Sequence, residues 1–595
     1  MDTNNQMSKT PQGQTVLGQA DRGQKLLIGT SVVVAHALLL TACASQSEQQ
    51  AVQTNDAPEP EQVTVVGINE PAPPIAPPAP PAQQVASDQV VVTGSRVRHG
   101  NMEMAVPVGT SKQSGVFSHH VPPVLVAPDP GRERYDGEEV SPVKMVQAEP
   151  VSTFSVDVDT GAYANARRFL TQGQLPPRDA VRTEEMINYF RYDYLAPKDG
   201  KQPFTVTTGV AKTPWNENTY LMRIGLRGYD LPRAERPPAN LVFLMDVSGS
   251  MRSADKLPLV KTALSGLASE LSPQDKVSIV VYAGAAGMVL EPTSDTRKIR
   301  SALDKLQAGG STAGGAGIKL AYQIAEDNKI KGGVNRVILA TDGDFNVGLS
   351  DRDALVDLIK DKRDNGITLT TLGFGTGNYN EAMMEQIADH GNGNYAYIDS
   401  ALEAKKVLGD EMQSTLFTIA KDVKIQVEFN PAVISQYRLV GYENRALREE
   451  DFDNDKVDAG DIGAGHQVTA IYEIVPTGTK GWIAPRRYDD KVSGEASRRM
   501  AEAAHVKLRY KMPNGSTSKL IDYVVTKREL RNARYPTGDF AFAASVAAFG
   551  QLLRGDELMM NFGFDDIDTL AGKQNEYWRQ EFLRLNDVAK SMKGG

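Results

Sequence analysis

Five side chains with oxygen donors are spread over a hundred residues of this 595-residue chain and could together bind one metal ion. They offer two carboxylates and three hydroxyls, from Asp246, Ser248, Ser250, Thr312 and Asp342. Hard cations prefer such ligands, so Mg²⁺ is the expected ion, with Mn²⁺ or Ca²⁺ as alternatives. No His or Cys lies nearby in sequence to favour zinc. Because hydroxyls do not neutralise the ion, one coordination position could take an Asp or Glu carboxylate from a partner protein.

The elements that must position these donors are predicted from a strand–helix–strand rhythm in residues 239–417. Residues 239–245 and 334–340 are mostly apolar, as buried parallel strands are. Asp246 and Asp342 follow these strands, and Thr312 lies in a glycine-rich loop before a helical stretch. Open α/β sheets bind ligands at the carboxyl ends of their strands, so the three loops should meet at one edge.

The order of these motifs resembles the metal-ion-dependent adhesion site of von Willebrand factor A domains. That site combines DxSxS, here residues 246–250, a threonine in a Gly-rich loop, and TDG, here residues 341–343. The resemblance implies that Asp246, Ser248, Ser250 and Thr312 are ligands, and that Asp342 acts directly or through water. The alternative is a set of capping serines and aspartates at helix starts.

Two flanking segments extend the resemblance beyond this domain. Residues 152–190 and 539–555 are similar to the corresponding regions of bacterial YfbK-like von Willebrand factor A lipoproteins. This family implies a secreted, membrane-tethered binding protein without a known catalytic reaction. It does not imply a physiological ligand.

The N-terminal region has the features of a lipoprotein signal peptide. An apolar run at 26–40 follows Lys9, Arg22 and Lys25, and is short of the ~20 residues of a membrane span. It ends in residues 40–43, Leu-Thr-Ala-Cys, which resemble the bacterial lipobox, so Cys43 is the predicted lipidation site. An uncleaved anchor is the alternative. No aspartate follows the cysteine, which favours the outer membrane, with the protein facing the periplasm.

The rest of the chain divides into five predicted regions after the signal peptide at 1–43. Residues 44–150 are rich in Pro, Ala and Gln and are predicted to be a disordered tether. Within it, 88–96 (DQVVVTGSR) could contact an envelope partner or be only a β-prone patch. The predicted regions that follow are helices and strands at 151–238, the von Willebrand factor A domain at 239–417, a β-rich domain at 418–530 and a helical region at 531–595.

The predicted fold class is therefore α/β, with a Rossmann-like, mostly parallel sheet flanked by helices and a helical C-terminal region. Strands on both sides of the α/β domain favour its insertion into a β-sandwich, because the two strands predicted at 204–228 are too few to be stable alone. The alternative is a string of separate domains. Asp157 and Asp159 alternate with apolar residues and are expected to face solvent from a strand.

Composition and motifs exclude several functions. The net charge of −9 argues against nucleic-acid binding, and no phosphate-binding loop, serine-hydrolase elbow or HExxH motif occurs. Residues 451–462 begin like a calcium loop but lack its glycine and its final glutamate. We expect a metal-dependent protein-binding module, not an enzyme, without a small-molecule substrate. The alternatives are a structural lipoprotein with a non-functional metal site and a metal-dependent hydrolase, for which Asp344 is the sequence-near candidate base.

Overall fold

The computed structural model describes residues 133–593, apart from residues 136, 157–158, 199–200, 311–313, 344–351, 378 and 485–498. The predicted signal peptide with Cys43, the tether up to residue 132, and the residues Asp157, Thr312 and Asp344 therefore lie outside the described residues. Within the described part of the chain, no helix has both the length and the apolar character needed to cross a bilayer.

The first elements are two strands, two helices and two more strands. The mixture of helices and strands predicted for residues 151–238 is present, and residues 178–180 between the two helices form a single 3₁₀ turn. The elements are β1 (Lys144–Met145), β2 (Val151–Ser155), α1 (Gly161–Thr171), α2 (Thr183–Asn188), β3 (Phe204–Lys212) and β4 (Tyr220–Gly228).

The central part is an α/β domain with a six-stranded sheet. The strand order is β10-β9-β8-β5-β6-β7, parallel except for β7. The strands are β5 (Ala239–Asp246), β6 (Lys276–Tyr282), β7 (Ala286–Thr293), β8 (Val334–Thr341), β9 (Thr368–Phe374) and β10 (Tyr395–Ile398). The helices are α3 (Leu257–Leu267), α4 (Thr296–Lys305), α5 (Gly314–Asp327), α6 (Arg352–Asp364), α7 (Glu381–His390), α8 (Ala401–Lys405) and α9 (Met412–Leu416).

The apolar run of β5 is explained by two cores, one on each face of this sheet. Leu241, Phe243 and Met245 pack into one core, and Val242 and Leu244 into the other. Every residue of β5 is buried, because helices cover both faces.

The last elements are strands followed by helices. They are β11 (Thr418–Phe429), β12 (Ile434–Leu439), β13 (Ala446–Leu447), β14 (Ile462–Gly463), β15 (Gln467–Pro476), β16 (Glu502–Lys511) and β17 (Ser518–Thr526). The helices are α10 (Lys527–Asn532), α11 (Gly538–Arg554), α12 (Phe564–Ala571) and α13 (Tyr577–Lys593). The apolar face of α11, with Phe542 and Phe549, packs in one core with α1, α2 and α13.

Strands from both sides of the α/β domain form one β-sandwich. Its two sheets have the orders β1-β12-β15-β4-β3 and β13-β2-β11-β16-β17, and share a core that includes Phe154, Ile224, Val427 and Ile474. Within them, β4 pairs with β15 and β2 pairs with β11, both antiparallel. The α/β domain is thus inserted between β4 and β11, and the predicted fold class is confirmed. The exact domain boundaries stay a prediction.

One buried arginine links three parts of the fold. The Arg167 guanidinium, on α1, lies 2.7–3.0 Å from carboxylates at the end of the α/β sheet, on α8 and on α13, those of Asp399, Glu403 and Glu581. Removing a partner from such a buried network leaves an uncompensated charge, so the network stabilises one relative arrangement of these elements.

Candidate metal site

The two predicted acidic ligands lie at the same edge of the sheet. Asp246 is the last residue of β5, Asp342 directly follows β8, and these strands are parallel neighbours. Both carboxylates are fully buried. The hydroxyl of Thr341 donates a hydrogen bond of 3.3 Å to Asp246 Oδ2. The structure therefore brings together two of the three predicted loops through their acids.

The loop after β5 folds back on Asp246 and presents its two serines side by side. The backbone N–H of Ser248 donates to Asp246 Oδ1 at 2.8 Å, and the hydroxyls of Ser248 and Ser250 are 2.9 Å apart. Ser248 is buried and Ser250 is exposed. The hydroxyls of Ser248 and Ser250 thus lie between the buried Asp246 carboxylate and the protein surface.

The glycine-rich loop is attached to this serine loop by two backbone hydrogen bonds. Gly309 N–H donates to Val247 O at 2.8 Å, and Gly249 N–H donates to Gly310 O at 3.0 Å. Gly310 has a φ of +90°, a conformation that disfavours residues with a side chain. Thr312 follows two residues later, outside the described residues, and its role as a ligand stays a prediction.

A lysine that the sequence reasoning missed lies against Asp342. The Lys256 Nζ donates to Asp342 Oδ2 at 2.9 Å, and only 7% of Lys256 is exposed. Its stem fills the space beside Gly375, where an added Cβ would lie 2.3 Å from Lys256 Cε. Lys256 stands just before α3, so its contact with the loop after β8 depends on tertiary packing.

The donors at this edge fit a hard divalent cation. Burial raises the pKa of Asp246 to about 6, and the charge of Asp342 also disfavours its ionisation. The Lys256 ammonium contacts Asp342, and a cation bound beside Asp246 would offset the charge of that buried carboxylate as well. Asp246, Ser248 and Ser250 would hold the ion, and Asp342 would act directly or through water. A bound ion would supply a Lewis-acidic position for an external carboxylate.

Hydroxyls are essential to this interpretation. In the described residues, no cluster of three His, Cys, Asp or Glu side chains could hold a metal. A search for such side chains alone would therefore miss the site, whereas the spacing of the serines finds it.

A short segment at the start of the described chain lies along the same edge of the domain. Arg134 N–H donates to Tyr379 O at 2.9 Å, and Glu381 N–H donates to Arg134 O at 3.2 Å. Glu133 accepts from Gly377 N–H at 3.0 Å and from both terminal nitrogens of Arg168. We call residues 133–135 the strap, because they cross the loop between β9 and α7. Sequence reasoning placed these residues in the tether and missed this contact.

The expected exposure of Asp159 is wrong. Asp159 is 2% exposed, accepts from Tyr395 N–H at 2.8 Å, and pairs with Arg445 at 3.1 Å. Its strand ends at Ser155, so the alternation that predicted a solvent-facing side chain does not extend to this residue. The acidic loop near residue 453 is paired with basic side chains, as Arg509 contacts Asp453 and Asp455.

Comparisons with known proteins agree with this architecture. Residues 240–410 match the profile of the von Willebrand factor type A domain, and residues 414–592 match that of the C-terminal part of the uncharacterized protein YfbK. Residues 129–223 match a von Willebrand factor profile. YfbK of Escherichia coli strain K12 is 47% identical over 475 residues, which cover 78% of this chain and 82% of YfbK. The chain belongs to the YfbK family.

Solved structures resemble parts of this YfbK-family chain. The hypothetical protein BatB from Bacteroides thetaiotaomicron is 27% identical and covers 29% of this chain and 97% of its own, with a TM-score of 0.25. A von Willebrand factor type A protein from Catenulispora acidiphila is 15% identical and covers 67% and 98%, with a TM-score of 0.36. The predicted family is confirmed, and its von Willebrand factor A domain is a module of the protein-interaction class.

Proposed function

We propose that this chain is a membrane-tethered module of the bacterial cell envelope that binds a protein partner through a divalent metal. The observation that carries the proposal is the convergence of the Asp246 and Asp342 carboxylates at one sheet edge, beside the hydroxyl pair of Ser248 and Ser250. All these donors are oxygens, which favours Mg²⁺ over softer ions.

The exposed hydroxyl of Ser250 supports access from outside. The buried Asp246 carboxylate would bind the cation from the protein interior, and the solvent-exposed side of the cation, near Ser250, would face a partner. A cation with neutral hydroxyl ligands keeps part of its charge, so an Asp or Glu of the partner is the expected visiting ligand. Thr312 is the proposed ligand from the glycine-rich loop.

The proposed location follows from the N-terminal sequence. Lipidation of Cys43 would anchor the chain, and residues 44–132 would separate the folded part from the membrane. The absence of an aspartate after the cysteine supports the outer membrane, facing the periplasm. Cys43→Ser should release the protein from the membrane fraction without changing its metal affinity.

The test is capture of partners from membranes by the purified soluble chain, with and without chelator. Capture should need Mg²⁺ and be lost in Asp246→Asn, while the exposed Asp327→Asn on α5 captures normally. Undiminished capture in chelator, or equal capture by Asp246→Asn and Asp327→Asn in Mg²⁺, would reject the metal-dependent proposal.

A structural lipoprotein with a non-functional metal site is the second candidate. The Lys256 ammonium favours it, because it already offsets one of the two buried acids. This candidate predicts that Mg²⁺ and Mn²⁺ leave the melting temperature unchanged. A metal-dependent hydrolase would instead show an activity that vanishes in Asp246→Asn.

A further inference from the structure

A polar cavity lies where the α/β domain joins the β-sandwich. It has a volume of about 150 Å³ and is lined by residues of β8, the end of α7, α9 and the loop before β14. Since about 10–15 Å³ of such space suffices for one water molecule, it has room for a small organic molecule. Arg336 stands near the amino end of β8, whereas Asp342 follows its carboxyl end, so this cavity is separate from the candidate metal site.

Arg336 brings a buried positive charge to this cavity, and no carboxylate of the described residues is in contact with it. Only 3% of Arg336 is exposed. Its hydrogen bonds go to neutral oxygens, the hydroxyls of Thr368 and Thr370 and the carbonyl of Thr415, at 2.5–3.0 Å. Burial lowers the pKa of Arg336 to about 10, which reflects the cost of holding a guanidinium there. Such a group is normally paired when buried.

Asp461 brings a negative charge to the same cavity, from the β-sandwich side. Its Oδ1 accepts a hydrogen bond from Asp422 N–H at 3.3 Å, and no basic side chain of the described residues forms a salt bridge with it. Burial raises the pKa of Asp461 to about 7. Arg336 and Asp461 attract each other across the cavity without direct contact.

The other charged side chains of the cavity wall are ion-paired. Arg445 contacts Asp389 at 2.6 Å, and Asp458 contacts Arg363 at 2.6 Å. The cavity therefore presents the guanidinium of Arg336 on one wall and the carboxyl group of Asp461 on another, and the imidazoles of His390 and His466 also line it. A ligand that satisfies both needs an anionic and a cationic end.

We propose that this cavity binds a small zwitterion of the α-amino acid class, with its carboxylate toward Arg336 and its ammonium toward Asp461. The two walls belong to the α/β domain and to the sandwich, so such a ligand would bridge the two. No small-molecule substrate was expected from the sequence. Arg336 and Asp461 lie 125 positions apart in the chain, so only the folded structure brings them to one cavity. The proposal is independent of the metal site.

The test uses the full soluble chain and measures binding of glycine, L-alanine and D-alanine by calorimetry and thermal shift. Acetate and methylamine, each with one of the two charges, are the control probes. At least one amino acid should bind saturably, and both control probes should bind at least about tenfold more weakly, because each lacks one charge-assisted contact.

Variants separate the proposed site from general effects. Asp461→Asn and Arg336→Met should each weaken binding about tenfold or more. Asp453→Asn, which changes an exposed acid eight residues before Asp461, should not. Arg336→Met replaces a buried charge with an apolar chain, and Asp461→Asn serves if that variant does not fold. Absence of binding, binding of acetate as tight as that of glycine, or equal binding by Asp461→Asn and Asp453→Asn would overturn the proposal and leave a water-filled cavity.

Discussion

Lys256 Nζ lies 2.9 Å from Asp342 Oδ2, with both side chains buried at the edge of the sheet that carries the candidate metal site. The ammonium and a bound cation would act on the same carboxylate. Lys256 therefore stabilises the metal-free fold and opposes the charge of an incoming ion.

Replacing this lysine should make the fold depend on metal. Lys256→Met leaves Asp342 buried without its cation, so the metal-free protein should lose roughly 3–5 kcal/mol of unfolding free energy. The rise in melting temperature on adding Mg²⁺ should be larger than in the wild type. Lys261→Met on α3, which Lys256 directly precedes, is the control, because the Lys261 ammonium donates to the Asp304 carbonyl at the surface. Identical Mg²⁺ responses in wild type and Lys256→Met would contradict the assignment of Asp342.

The glycine-rich loop offers a second test, in which Gly310 of this loop is compared with Gly332, a glycine outside it. Gly310 and Gly332 have φ values of +90° and +75°, so alanine at either should cost about 1 kcal/mol of stability. Only Gly310 is hydrogen-bonded to the serine loop. Gly310→Ala should therefore weaken Mg²⁺ binding, measured by calorimetry, and Gly332→Ala should not. Equal Mg²⁺ affinities of the two variants would show that the glycine-rich loop does not contribute to the metal site.

A buried acid near the strap predicts a pH dependence of stability. Burial raises the pKa of Glu381 from an ordinary 4.5 to about 8, although Arg182 partly offsets this effect. Between these values the unfolded chain releases a proton that the folded chain keeps, so this group lowers stability as pH rises from 4.5 to 8. Glu381→Gln should thus raise the melting temperature more at pH 8 than at pH 5. Glu291→Gln, at an exposed position, should leave the melting temperature unchanged at both pH values. A pH-independent effect of Glu381→Gln would contradict the prediction.

The strap predicts a local change in hydrogen exchange. Glu133→Ala removes the acceptor for Gly377 N–H and the partner of Arg168, so the amide of Gly377 should exchange faster with solvent. Exchange in β5 should stay as in the wild type. Glu139→Ala, an exposed acid six residues later, is the control. Unchanged exchange at residues 377–381 would mean that the backbone contacts of Arg134 suffice.

The α/β domain and its acidic edge could be predicted because their signals are local. Mostly apolar runs identify β5 and β8, and each motif begins at the end of its strand. The Lys256–Asp342 pair could not be predicted, since it joins residues 86 positions apart through side-chain packing. The burial of Asp159 was also missed, because its partners Tyr395 and Arg445 come from distant elements.

The pairing of β2 with β11 determines how the molecule would carry a load. The two strands are antiparallel, with Val151 opposite Glu428 and Ser155 opposite Lys424. The N-terminal end of β2 and the end of β11 nearest the α/β domain therefore lie at opposite ends of the strand pair. A pull between the N-terminal segment and a partner held at the sheet edge would slide these strands lengthwise. Their backbone hydrogen bonds would then resist together rather than open one at a time, as they would in a peeled hairpin.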